Sequence, residues 1–470
     1  MLGLLKSNVV FLIYALGMIF TLMAAFGWVR WPLLFVIGLL PLRNVIERFQ
    51  TFPLGDDFFD VLLIGIFIGW IISAAVRGRR IMERSLINWA IIPMISYTFI
   101  SLIYGTSNIE YAVYFSFMDP RVAVWKNFCI MPLIFLMVFN NLNEKKWIWR
   151  TVAVMCLSMA LMDYYTITQL SWHTSIVSRT KIHGTFVFLG PNELAAFYNQ
   201  YTIILMALFL SMRRSLGKLA LGALIWANIY CVLFLFSRAA YAASAVGMFV
   251  LFAVRKKILL IPLLIVIICW NVLLPVRVQE RINMTTNAFG ELDESAANRL
   301  LVWERAVEIF QNNPIMGIGY GVFTRFEDDL NLDTHNIYLK ILTEQGLIGF
   351  VIFLLLMIVF FFRGIKLYRQ GDDELSRALG IGFACAIVML MINNMFGDRW
   401  TYLELSSYLW IFAGLVEALN LKASQVTIEL EESRRIAEAK KNSPAVRMPQ
   451  SASSGQEKPK RKTYYNYYRK

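Results

Sequence analysis

Five side chains, by type and spacing, carry the chemistry to be expected of this chain. His335 stands in the polar run Thr334-His335-Asn336-Ile337-Tyr338-Leu339. Histidine titrates near neutrality, which suits proton transfer; a structural or merely exposed histidine is the plainer alternative. Glu344 follows nine residues later, so it can face the same cavity mouth without touching His335 within one helix. Arg179, with Lys181 and His183, concentrates positive charge just ahead of Gly190-Pro191-Asn192-Glu193. That is an anion site, or simply the start of a span, with Pro191 marking a turn and Asn192 as the cap. Arg238 follows Ser237 beside Ala239 and Ala240. It either snorkels to lipid phosphates or, with small neighbours, turns into a cavity. Arg299 lies one helical turn before Trp303. No second histidine or tight carboxylate pair accompanies His335, so no metal site is expected.

The elements that must hold these residues are membrane helices. The chain has 470 residues, 58% of them hydrophobic and 16% charged, with a mean hydropathy of +0.57. Repeated apolar runs long enough to cross a bilayer predict an all-α polytopic membrane protein, since each helix satisfies its own backbone in lipid. Twelve spans are predicted: 8–27, 58–76, 87–104, 123–140, 148–165, 193–211, 215–236, 239–254, 257–275, 346–362, 377–396 and 402–419. The first is read as a retained helix rather than a cleaved leader. The segment 31–42 is too short to cross and is read as a re-entrant or interfacial piece. All five cysteines fall inside predicted spans, without the clustering of a zinc site or a disulfide framework.

Charge tests this map. Arg77, Arg79, Arg80 and Arg84, then Lys145 and Lys146, Arg213 and Arg214, Arg255 to Lys257, and Arg363 to Arg369 occupy every second loop. The positive-inside rule then puts both termini in the cytoplasm and the loops 105–122, 166–192, 276–345 and 397–401 outside. The net charge of +13 is therefore a membrane signature, and no nucleic acid is implied. The chain divides into a membrane domain, 1–420, and a basic tail, 421–470, with twelve Lys and Arg against five Glu. Within the tail, 426–441 reads as a charged helix, 442–456 as disordered, and the basic, tyrosine-rich end as a site for anionic lipid or a partner, or as a solubilising tail.

The long outer loop, 276–345, has organisation of its own. Ala296, Leu300, Trp303, Val307 and Phe310 recur at helical spacing, predicting an amphipathic helix over 295–312 that Asn313-Pro314 ends. Gly317-Ile318-Gly319-Tyr320-Gly321 permits tight turns and close backbone approach to a ligand. No strand precedes it, so a dinucleotide site is not expected.

Taken in order, these motifs resemble the bacterial O-antigen ligase and O-antigen/exopolysaccharide polymerase superfamily. The similarity lies in Arg179-x4-Gly184-Thr185-Phe186, Pro191-Asn192-x-Leu194-Ala195, Ser237-Arg238, Arg299-x3-Trp303, Asn313-Pro314-x2-Gly317-x-Gly319-x-Gly321-x-Phe323, and His335-Asn336 followed by Gly346-Leu347-Ile348-Gly349. The resemblance implies a C-type glycosyltransferase-like helical fold in the bacterial inner membrane. It implies a donor glycan on undecaprenyl pyrophosphate and no cofactor. The extended tail with its clustered tyrosines is unusual for either branch and suggests coupling to polysaccharide-assembly proteins in the cytoplasm. Arg179, Arg238 and Arg299 would stabilise pyrophosphate through bidentate contacts, with Glu344 also at the substrate, and His335 would position or deprotonate the acceptor hydroxyl. Polymerase and ligase branches share these motifs; the polymerase is the reading carried forward, with the ligase as its alternative. Some superfamily members are solute transporters of bicarbonate-like substrates. A transporter calls for acids deep in spans and for repeats; here Asp163 is the clearest such acid, near a span end, and no inverted repeat is evident.

Overall fold

The computed structural model describes residues 2–49, 52, 57–107, 116–172, 175–284, 294–323 and 334–442. Every regular element among them is a helix. In chain order these are α1 (Leu2–Ala25), α2 (Arg30–Leu39), α3 (Arg43–Phe49), α4 (Phe58–Val76), α5 (Leu86–Ser107), α6 (Pro120–Asn141), α7 (Lys145–Trp172), α8 (Pro191–Ser211), α9 (Leu216–Phe234), α10 (Arg238–Arg255), α11 (Leu260–Ile268), α12 (Trp270–Leu273), α13 (Val276–Asn283), α14 (Glu294–Asn312), α15 (Ile337–Gln370), α16 (Glu374–Asn393) and α17 (Leu403–Asn442). Ten of them are long and apolar enough to cross a membrane, and the protein is a multi-pass membrane protein.

Two of the twelve predicted spans are corrected. The segment 257–275 is broken: a short 3-10 turn leads into α11, and Cys269 interrupts the helix before α12. The segment 402–419 is helical within α17 but is not among the ten, and its apolar residues are buried in protein rather than offered to lipid. It carries Glu417, which makes a bidentate ion pair with Arg363 at 2.6 and 2.8 Å. By compactness the chain divides at Ala423, within α17; the second unit is helical to Asn442. The expected disordered stretch and basic, tyrosine-rich end fall outside the described residues.

The segment 31–42 is not re-entrant. Arg30 at its start donates to Asn141 at the end of α6, and Arg43 just past it shares a cavity with Pro120 and Arg121 at the beginning of α6. The chain therefore passes from one face of the bundle to the other. Leu33, Val36, Ile37 and Leu40 are fully buried, so this crossing is wrapped by protein and needs no lipid-length apolar run. An extra crossing changes the parity. α1 runs parallel to α4, Gly17 lying on Phe58, Gly65 on Thr21 and Gly69 on Ala24. The start of α1 thus lies on the Asp57 face, and the end of the membrane unit at Ala423 on the opposite one.

The basic loops nevertheless gather on one side. Lys145 pairs with Asp372 at 2.7 Å and Asp373 at 2.6 Å, and Arg255 pairs with Glu374, at the ends of α15 and α16 opposite to Arg238 and His335. Asp163, expected near a span end, lies well inside α7, which continues to Trp172. It is buried against Cys231 and, once the Asn228 amide is turned to satisfy both groups, accepts from Asn228 at 3.0 Å. This is an interior tie between α7 and α9. Cys269 is exposed, unlike the core role expected of the cysteines, because the helix breaks there.

α15 is also broken, at Gly346 (φ +64°), and the glycine-rich loop repairs the break. Ile318 N donates to Thr343 O at 2.9 Å, Gly319 N to Glu344 O at 2.8 Å, and Leu347 N to Pro314 O at 2.9 Å. Tyr97 Oη adds a bond to the Gln345 carbonyl at 2.7 Å. The close approach expected of Gly317-x-Gly319 is thus backbone against backbone, not backbone against ligand. A Cβ on Gly319 (φ +114°) would overlap the Cα of Gly105 on α5. Gly319→Ala is therefore expected to destabilise the fold by at least about 2 kcal/mol, read as loss of monodisperse protein and a lowered Tm in detergent. The same change at Gly78, whose added Cβ would meet open space, should cost little more than its backbone strain.

A candidate anion site on the Arg238 face

The site begins with a backbone strain. α9 ends at Phe234, and two residues later Phe236 adopts φ +53°, a left-handed conformation rare for a large side chain, with its ring fully buried. This turn presents two carbonyls in one direction. Arg179 Nη1 donates to Leu235 O at 3.1 Å and to Phe236 O at 2.9 Å, and Arg281 Nε on α13 donates to the same Phe236 carbonyl at 3.2 Å. Arg238 starts α10 two residues on, and its Nη1 reaches Met284 O at 3.3 Å. Two guanidiniums therefore converge on one strained turn, and the charge of Arg238 is felt beside them.

Their mutual repulsion is visible at Arg179. Burial first, then Arg281 and Arg238, push its proton affinity down to about 10, against the attraction of Tyr241 and Glu193. It remains cationic at neutral pH, so an unneutralised positive charge is held in a partly desolvated place. Fixed guanidinium forks in such surroundings are suited to phosphate oxygens.

A carboxylate connects this cluster to His335. Glu193, in the first turn of α8, accepts from Arg399 Nη1 at 2.7 Å and lies in the electrostatic field of His335. Asn192 does not cap α8, since Gly190 takes that position with Pro191 first in the helix; the Asn192 side-chain oxygen instead lies 3.4 Å from Arg179 Nη1. Arg399 belongs to the loop before α17, where its neighbour Asp398 pairs with Lys340 of α15 at 2.9 Å. Burial raises the Asp398 carboxyl, but Lys340 and hydrogen bonds from Thr401 outweigh it and hold the group below the ordinary carboxylate range. The linked pairs fix α8, α15 and the Arg399 loop around His335.

His335 itself has φ +46°. The conformation follows from the cap beside it. Asn336 Oδ1 accepts from Tyr338 N at 3.0 Å and Leu339 N at 3.3 Å, while Trp303 Nε1 on α14 donates to Thr334 O at 2.8 Å. α14 has the predicted bounds to within a residue, but its buried stripe is Val302, Ala306 and Ile309, with Leu300 and Val307 exposed. The face is turned by one residue because α14 packs on α15 and the glycine loop, through Ile318, Val322 and Phe323. Arg299 is in register with Val302 and Ala306, on the side toward Thr334. It is half-buried on α14, one turn before Trp303, whereas Arg179, Arg238 and Arg281 lie by the Phe236 turn.

Two cavities flank these groups. An apolar one of about 510 Å³ runs between α8, α9, α10 and α11, from Leu259 and Phe252 to Tyr241, Trp270 and Leu274. Tyr241 lies in the electrostatic field of Arg179 and Arg281, so the apolar groove ends at the guanidinium cluster. The second, about 570 Å³, is lined by Arg43, Arg121, Lys340, Glu344 and Glu404 among others. Glu344 is buried and faces this polar cavity, not the groove.

A segment of this site has known relatives. Residues 223–354 match the O-antigen ligase family. The matched stretch contains Phe236, Arg238, Arg281, Arg299, His335 and Glu344; Arg179 and Glu193 lie before it. A curated relative is the Exopolysaccharide production protein ExoQ of Rhizobium meliloti (strain 1021), 23% identical over 117 residues, which cover 22% of this chain and 27% of ExoQ. The chain thus spans about a quarter of the length of the curated relative it matches. The resemblance to the O-antigen ligase and polymerase superfamily, an enzyme superfamily, is borne out by both similarities.

Arg281, Glu193 and Arg399 escaped the sequence reading. Arg399 carries positive charge in a loop assigned to the outside, the same signal that singled out Arg179. Arg281 follows Arg277 and Glu280 in an ordinary-looking charged helix, and only the fold aims it at the Phe236 carbonyl.

Proposed function

We propose that this protein is a glycosyltransferase that extends or transfers a glycan carried on undecaprenyl pyrophosphate, at the membrane face opposite the basic loops. The observation that carries the reading is the meeting of an apolar groove with Arg179, Arg238 and Arg281 at its end. A polyprenyl pyrophosphate has that polarity: an apolar chain joined directly to an anion. The face bearing the site is taken as extracytoplasmic in the bacterial inner membrane, with the basic loops and the tail cytoplasmic.

In the proposed reaction the acceptor hydroxyl oxygen forms a bond to the anomeric carbon of the donor sugar. The bond from that carbon to the pyrophosphate oxygen breaks, and the electron pair leaves with the lipid pyrophosphate. His335 takes the hydroxyl proton, with Glu193 favouring the cationic imidazole that results. The guanidiniums stabilise the departing anion without a metal ion, and Arg299 bears on the donor glycan near His335. Glu344 and Lys340 in the polar cavity bind sugar hydroxyls on the acceptor side.

The polymerase reading has the name of ExoQ on its side; the family description, O-antigen ligase, favours transfer to lipid A-core as the second reading. Purified full-length protein should convert a synthetic undecaprenyl-pyrophosphate repeat unit into a ladder in the presence of a chelator. Transfer onto lipid A-core without a ladder selects the ligase. No product from either acceptor, with folded protein, overturns the transferase reading.

A further inference from the structure

The opposite end of the bundle holds a second basic cavity that plays no part in this chemistry. α4 separates the two ends by about 28 Å of helix. Gly27 (φ +83°) turns the chain tightly between α1 and α2 against Ser73, which brings Trp28 and Arg30 beside the end of α4. There, Arg30, Arg77, Arg79 and Arg80 line a cavity of about 220 Å³ together with Asn140 and Ser73. The loop that carries the last three arginines is held in place. Arg79 N donates to Ala74 O at 3.0 Å, and Glu83 N to Asn140 Oδ1 at 2.7 Å.

The charges in this cavity are not balanced. Arg30 is neutralised by Glu144 at 2.7 Å, and Glu144 is shared with Lys146 at 3.0 Å. Glu83 is the carboxylate on the loop after α4, and among the described residues none of Arg77, Arg79 and Arg80 makes an ion pair. The walls are indoles. Trp147 lies under both Arg30 and Arg150, their guanidinium carbons 5.5 and 4.7 Å from its ring, while Trp28 and Trp31 are exposed at the rim. Indoles with one apolar and one wet side belong at the headgroup level of a bilayer. The positive-inside rule accounts for the sign of the loop. It does not account for a cavity with stacked and hydrogen-bonded walls.

We infer that this cavity binds the phosphate of an anionic phospholipid headgroup from the adjacent leaflet. The phosphate lies among Arg77, Arg79 and Arg80, and the glycerol and acyl region leaves past Trp28 and Trp31. The bound lipid would close the joint between α1, α2, α4 and α6. The inference is independent of the proposed transferase reaction.

The test uses the purified full chain in a neutral detergent, titrated with short-chain phosphatidylglycerol. Saturable binding is expected, weakened at least ten-fold in the R77Q/R79Q/R80Q triple variant. All three side chains are exposed, so the variant should fold. The R213Q/R214Q pair, on another basic loop, should change binding less than two-fold. Equal binding by the triple variant, or equal loss in the R213Q/R214Q pair, overturns the site. Inorganic phosphate should fail to displace the lipid at equal concentration. Displacement by it would make this a free-phosphate site and overturn the lipid assignment.

Discussion

Replacing His335 with Asn is expected to cut glycan transfer by about 10²–10⁴-fold, the range for losing a general base, with membrane abundance unchanged. The choice of substitution matters. His335 has φ +46°, a conformation that Asn tolerates and most side chains do not. His335→Asn therefore keeps the turn that lets Asn336 cap α15, and it removes only the imidazole. His335→Ala adds backbone strain, so a lower yield from that variant would say nothing about chemistry. Initial rates with a lipid-linked donor, at matched amounts of folded protein, separate the two effects. Asn at wild-type rate would remove His335 from the mechanism.

Arg281→Gln should lower the turnover by about 10²–10³-fold, comparable to removing one donor from a preorganised anion site. The loss should fall on kcat more than on KM, because the charge that Arg281 meets develops as pyrophosphate leaves. Stability should move the other way or not at all. Arg281 is the second cause, after burial, of the lowered proton affinity at Arg179, so removing it relieves like-charge repulsion in the ligand-free protein. A Tm equal to or above wild type, together with a large loss of rate, distinguishes this role from a structural one. Arg281→Lys should recover part of the rate, since it restores charge without the guanidinium fork.

Helix location was legible in the sequence because lipid imposes length and hydropathy on whatever it touches. It was not legible where protein replaces lipid. α2 crosses the bundle with a short apolar run because its neighbours bury it, and α17 contributes a buried helix that carries Glu417. α2 also reverses the chain once more than the long apolar runs alone suggest. Parts of the site were legible for a different reason. His335, Arg179 and Arg238 are polar residues where the apolar pattern breaks, so they stand out. Arg281 and Glu193 sit among other polar residues or beside a capping motif; Arg281 matters through a strained turn at Phe236, and Glu193 through a pairing with the distant Arg399, neither of which a local pattern announces. The glycine loop was legible as a place of close approach, but its partner, the broken α15 at Gly346, was not, because Gly346 interrupts an otherwise good helical sequence.

The central claim is that the apolar groove and the guanidinium cluster hold one lipid pyrophosphate. The most direct measurement is a cryo-EM structure of the full chain with a methylene-bisphosphonate analogue of an undecaprenyl-pyrophosphate sugar, whose scissile position cannot be cleaved. The account predicts bisphosphonate density among Arg179, Arg238 and Arg281, isoprenoid density along Tyr241, Met248 and Leu263, and the sugar directed toward His335. Bisphosphonate density elsewhere, with the Phe236 turn empty at saturating analogue, would contradict it.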